Sequence, residues 1–175
     1  MALSVAPTLV LAWGNPSRGD DALGPACLAQ LEQRLVQRLQ AGQGGGACPP
    51  LAEVEFLEDF QLQVEHVCDL LHRQRVLFID ASASAQPPFE VQRPQPRPDH
   101  SVSSHALSPQ ALLHVMHTVH GPDAVPPVWV LGIAGQSFEL GDDLSPQAQL
   151  NLDAAVEWAW GWVSDCASVD DDVTL

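Results

Sequence analysis

Three groups of residues in this chain have the types and placement to hold a metal ion. Asp20 and Asp21 follow the loop from Gly14 to Gly19 (GNPSRG), Asp80 closes the apolar run from Arg75 (RVLFID), and His105 ends the segment SVSSH just before Pro109. Two carboxylates and one imidazole make a mixed oxygen and nitrogen donor set, which suits a borderline divalent ion such as nickel or zinc. Three protein ligands leave coordination positions open for a group carried in by a substrate. A metal held there can polarise a carbonyl or activate a water molecule. Asp20, Asp21 and Glu58 are the candidates for moving a proton beside it, and Glu58 and Asp59 end a further strand that can line the same cleft. Each residue also has a plain structural use. An acid before a helix complements its positive end, an aspartate at a strand end caps a loop, and a loop histidine is simply solvated.

Other constellations point elsewhere or nowhere. His114, His117 and His120 share one stripe of a helix and can attract metal ions, but that stripe is also the polar face of a segment burying Leu112, Leu113 and Val115. Ser137 stands in GQSFE, which lacks the second glycine of a nucleophile elbow. No serine or cysteine is paired with a base at a recognisable spacing, and no HExxH occurs. Lysine is absent altogether, which removes Walker-type phosphate binding, Schiff-base chemistry and the phosphorelay receiver site that otherwise uses similar acids. Trp158, Trp160 and Trp162 read as packing or contact residues.

The elements that must carry these groups alternate. Thr8 to Trp13 is a short apolar strand, followed by a helix opened by Pro25 with Leu28, Leu31, Leu35 and Leu39 on one face. Residues 42–50 (GQGGGACPP) form a connection. Ala52 to Leu57 alternates as a strand, Leu62 to Leu71 is helical, and Arg75 to Asp80 is a buried strand. An edge strand at Phe89–Gln92 precedes a helix from Pro109, a strand from Pro127 to Ile133 and a last helix from Ser145-Pro146 through Trp162. This order predicts a three-layer α/β/α sandwich, a mostly parallel twisted sheet of about five strands with helices on both faces. In such sheets sites form beyond the carboxyl ends of the strands, where Asp20, Asp21, Asp80 and His105 all fall.

At 175 residues the chain suits one domain, read as residues 1–163 with an acidic, disordered tail over 164–175. Twenty-two acids against seven arginines give a formal net charge of −15, which repels nucleic acid and anionic lipid and favours basic or metal-bearing partners. No apolar run is long enough to span a bilayer, and the start lacks the basic region of a secretion signal. The four cysteines are scattered, with Cys27 and Cys68 expected as buried thiols, so neither a disulfide framework nor a thiolate metal site is indicated and the cytoplasm is the expected compartment.

The segments VLAWGNPSRGDDALG, FIDAS and SSHALSP resemble, in order, three motifs of the hydrogenase maturation protease family, and the likeness runs from about Leu9 to Leu140. The resemblance implies an endopeptidase that removes the C-terminal extension of a nickel–iron hydrogenase large-subunit precursor once nickel is inserted. It implies that Asp21, Asp80 and His105 contact nickel brought by the precursor itself. EDFQLQ replaces the family's glycine–threonine segment after the second strand, a variant that looks like the branch serving soluble, NAD-linked hydrogenases. A non-catalytic nickel carrier for hydrogenase assembly is the alternative with the same three ligands. On this reading Asp21→Asn stops processing, and Asp20→Asn is the milder change because an amide still accepts hydrogen bonds.

Overall fold

A computed structural model describes residues 5–41, 53–98 and 107–164 of the chain. Five strands, β1 (Thr8–Trp13), β2 (Val54–Asp59), β3 (Arg75–Ser82), β4 (Phe89–Gln92) and β5 (Val128–Ala134), form one sheet in the order β2-β1-β3-β5-β4. All neighbours are parallel except β4, which runs antiparallel along the edge of β5. The predicted α/β architecture is therefore the observed one. β1 is buried at all six positions, as expected for a strand paired on both sides and covered on both faces.

Two cores flank the sheet because strand side chains alternate between its faces. Val10, Ala12, Leu77, Ile79, Leu131 and Ile133 face the helices α1 (Leu23–Gln40) and α4 (Pro146–Ser164). Leu9, Leu11, Trp13, Phe78 and Val128 face the short α2 (Val67–Leu70) and α3 (Pro109–His120). Full burial of a leucine or phenylalanine contributes about 1.5–3 kcal/mol, so these two layers dominate the stability. In α3, Pro109 occupies the first turn, where its missing N–H costs nothing, and the Ser108 hydroxyl accepts from the Ala111 amide at 3.2 Å.

Two local expectations change. The helical reading of Leu62 to Leu71 shortens to a 3₁₀ turn at Val64–His66 and the single turn of α2. Leu71 returns to extended backbone because the chain must reach β3, where the Gln74 amide donates to Pro7 at 2.8 Å. Cys68 is exposed, whereas Cys27 is buried and its thiol is pushed up to about 12 by desolvation.

Arginine does the bridging that lysine cannot do here. Arg34 joins α1 to Glu157 of α4, and Arg73 reaches Glu55 at 2.6 Å and the Ala6 carbonyl at 2.7 Å. Arg75 donates to the Trp162 and Val163 carbonyls at 3.0 and 3.1 Å and lies over the Trp162 ring, closing the carboxyl end of α4. Among the described residues no helix is long and apolar enough to cross a membrane. The proposed tail lies outside the described residues from 165 onward.

Candidate functional site

The loop after β1 is fixed by close backbone approach. Gly14 has φ of 146°, and its amide donates to the Asp59 carbonyl at 3.2 Å. A Cβ at this position would sit 2.0 Å from the Asp21 carbonyl oxygen, so only glycine lets the chain fold back on itself. The next amide, that of Asn15, donates to Asp21 Oδ2 at 2.8 Å and holds the carboxylate beside the strand end. Gly14→Ala is expected to cost more than about 2 kcal/mol and to displace Asp21. Thermal melting checks the first effect, and loss of any Asp21-dependent metal affinity checks the second.

Asp20, the neighbouring acid, serves the scaffold. It is fully buried and accepts from the amides of Gln136, Ser137 and Ser145 at 2.7, 3.0 and 2.7 Å and from the Ser145 hydroxyl at 2.9 Å. Burial pushes its pKa up, but these four donors together outweigh burial and hold it below the ordinary aspartate value. Asp20 thus ties the β1 loop to the β5–α4 connection. Its donors leave it no room to take a proton, which corrects its candidacy as a proton acceptor. Gly135 matches this arrangement, since a Cβ there would come within 2.9 Å of the Asp20 Cβ.

β3 runs two residues past the expected end at Asp80. Asp80 lies one residue beyond the last β1 pair, Ala12–Ile79, and pairs with Gly132 of β5. Its side chain lies on the α3 face with Trp13, which hydrogen-bonds to it, as does the Ala81 amide. Burial drives its pKa up, the two hydrogen bonds pull against it, the charge of Asp21 adds a smaller push, and the result is a value of about 7. Two carboxylates that repel each other, one from the turn after β1 and one desolvated near the carboxyl end of β3, form an electrostatic setting that a cation relieves. A cavity of about 230 Å³ opens beside Asp80 and is lined also by Trp13, Ser82, Glu90, Gln92 and Gln110. A larger one, about 600 Å³, lies at the other end of the sheet around Pro127, His114 and His117 and shares no residue with Asp21 or Asp80.

Glu58 does not join this group. Along β2, Phe56 packs toward the α1–α4 core and Leu57 toward the opposite one, so alternation directs Glu58 to the face away from Asp80, and it is exposed. Of the two acids expected to line the cleft, Glu58 is corrected and Asp59 keeps the orientation that Glu58 lacks. His105 lies outside the described residues. His114, His117 and His120 form no cluster, and no group of three metal-binding side chains occurs among the described residues. Sequence reading missed two members of the neighbourhood, Trp13 and His66, the partner of Asp59. His66 Nδ1 accepts from the Gln63 amide at 2.9 Å, which leaves its Nε2–H facing Asp59 Oδ2 at 3.3 Å. The signal for Trp13 was its place at the carboxyl end of β1, and His66 was hidden by the helical pattern around it.

No protein-family model matches the chain, and no curated protein sequence matches it. Solved structures do. The [NiFe] hydrogenase maturation protease HycI from Thermococcus kodakarensis KOD1 matches with a TM-score of 0.67 at 16% identity, over 91% of this chain and 94% of that one. The hydrogenase maturating endopeptidase HybD from E. coli matches with a TM-score of 0.61 at 23% identity, over 87% and 88%. A hydrogenase 2 maturation peptidase from Thaumarchaeota archaeon SCGC_AB-539-E09 matches with a TM-score of 0.57 at 19% identity, over 89% and 97%. At these identities the likeness establishes a shared fold along nearly the whole described chain.

Proposed function

We propose that this protein is an endopeptidase that removes the C-terminal extension of a nickel–iron hydrogenase large-subunit precursor after nickel insertion. The observation that carries the reading is the pair Asp21, held by the Asn15 amide in the 3₁₀ turn after β1, and Asp80, buried near the carboxyl end of the neighbouring β3, whose charges repel across a fold shared with hydrogenase maturation proteases. The reading includes three further expectations: a cytoplasmic site of action, a precursor from the soluble, NAD-linked class of hydrogenase, and nickel that arrives with the substrate.

In this scheme Asp21 and Asp80 offer two hard oxygen donors, and His105, close before α3 in the sequence, contributes an imidazole nitrogen. Together they engage nickel already held in the precursor, so that an unloaded precursor lacks its anchor. Engagement fixes the neighbouring peptide, and fixed geometry is itself a large share of a hydrolytic rate. Asn15 keeps Asp21 oriented, Trp13 keeps Asp80 oriented, and Asp20 holds the loop without entering the chemistry.

The test is the mass of purified large-subunit precursor, nickel-loaded or nickel-free, after incubation with the protein. The loaded precursor is expected to lose its extension and the nickel-free one to stay intact. His105→Ala is expected to abolish processing with unchanged circular dichroism, as a ligand to the substrate's nickel would. An unchanged precursor length in every case would favour a carrier, and equal activity of His105→Ala would remove that residue from the ligand set.

A further inference from the structure

The loop that carries Asp21 is bracketed by two large apolar side chains that the fold leaves in water. Phe60 is 69% exposed and Leu140 is 76% exposed. Phe60 directly follows Asp59, whose carbonyl receives the Gly14 amide at the start of the loop. Leu140 directly precedes Gly141, whose amide donates to the Ser17 carbonyl at 2.8 Å in the middle of the loop. Both therefore belong to the rim of the carboxyl end of the sheet, one on each side of the candidate site.

Neither residue is merely loose. Asp59 Oδ1 accepts from the Phe60 amide at 2.6 Å, Asp59 Oδ2 accepts from Gln63 Nε2 at 3.1 Å, and Leu62 is buried two residues on. On the other side, Asp142 accepts from Gly19 through its carbonyl at 3.1 Å and from the Ser137 hydroxyl through its carboxylate at 2.8 Å, and Arg18 Nε donates to the Phe138 carbonyl at 3.3 Å. An exposed apolar side chain on a braced turn offers area to bury with little backbone left to order on binding, and aromatic residues such as Phe60 are enriched at interfaces. The segments 14–21, 58–66 and 135–145 that form this rim carry Glu58, Glu65, Glu139, Asp142 and Asp143 besides the buried or site acids, against Arg18 as their one arginine and no lysine.

We infer that Phe60 and Leu140 are the two anchors of a docking surface that grips a basic, apolar-bearing face of the precursor and delivers its scissile segment to Asp21 and Asp80. The inference rests on the proposed peptidase reading and adds the surface that selects the substrate. Charge complementarity fixes the partner's sign, because a second copy of a chain with net charge −15 would bring acids against acids.

The test compares wild type, Phe60→Ser/Leu140→Ser and Asp21→Asn on one nickel-loaded precursor, with KM and kcat measured separately and light scattering for oligomeric state. The double variant is expected to raise KM by at least tenfold while kcat at saturation and the melting temperature stay put, and added salt is expected to raise the wild-type KM as well. Asp21→Asn is expected to bind the precursor and fail to cleave it. A double variant with wild-type KM overturns the docking surface while leaving the peptidase standing. A loss of dimers without a change in KM overturns it in favour of self-association. A wild type that leaves the precursor intact overturns the peptidase reading and this surface with it.

Discussion

Asp20→Asn is expected to unfold the protein about 6–12 °C earlier than wild type, although it changes one oxygen to an amide nitrogen. The reason is the company that the carboxylate keeps. Three amides and one hydroxyl all point hydrogen toward it, and one of its oxygens takes three of the four. An amide must aim N–H at N–H somewhere in that set, and the loss of charge weakens the bonds that survive. Hydrogen bonds to a charged group contribute about 1.5–3 kcal/mol each, and a buried donor left without a partner costs about 1–3 kcal/mol. A loss of about 3 kcal/mol in a domain of this size corresponds to that fall in the melting temperature. The pH dependence has a definite sign. Asp20 has a folded-state pKa below its unfolded value of 3.8, so its contribution is complete above that value and fades as the pH falls through the folded one. Wild type and variant should therefore converge in strong acid and differ most from pH 5 upward. Melting curves across that range decide the matter. A variant that melts with wild type at neutral pH would mean that the loop does not depend on this carboxylate.

That result reverses what the sequence suggests, and the reversal shows which information a sequence carries. Alternation of apolar runs with amphipathic segments was enough to read all five strands and the three long helices, because burial on both faces imposes an unbroken apolar strand and a one-sided helix. The position of Asp80 was legible for the same reason, as a charge ending such a run. Which of two adjacent aspartates turns inward was not legible. It depends on the 3₁₀ turn at Gly19–Ala22 and on donors 116 to 125 residues away in the β5–α4 connection, none of which leaves a local trace. Glu58 and Asp59 could not both line the cleft, because in a strand one residue is a change of face. His66 escaped because a histidine inside a helical pattern looks like a surface residue until its Nδ1 is seen to cap the turn.

Asp80→Asn is expected to move stability and activity in opposite directions. In the metal-free protein burial and Asp21 hold the Asp80 pKa up at about 7, against 3.8 for an unperturbed aspartate. The native state therefore keeps a proton that the unfolded chain has released. Stability must fall as the pH rises from about 4 to 7, and the penalty is complete above that window and absent below it. At about 1.36 kcal/mol per pH unit the ceiling is about 4 kcal/mol. Asparagine removes the charge and with it the penalty. It forfeits about 1 kcal/mol, because an amide oxygen accepts from Trp13 and the Ala81 amide more weakly than a carboxylate does. The variant should thus melt several degrees above wild type at pH 8 and close to it at pH 4, and it should lose the cleavage of nickel-loaded precursor. A residue that destabilises the empty protein and is needed for its chemistry is the pattern of a site prepared for a cation. Equal melting of the two proteins at pH 8 would mean that Asp80 is ionised there at no cost to the fold. The electrostatic case for a metal-receiving pair would then have to rest on Asp21 and His105 alone.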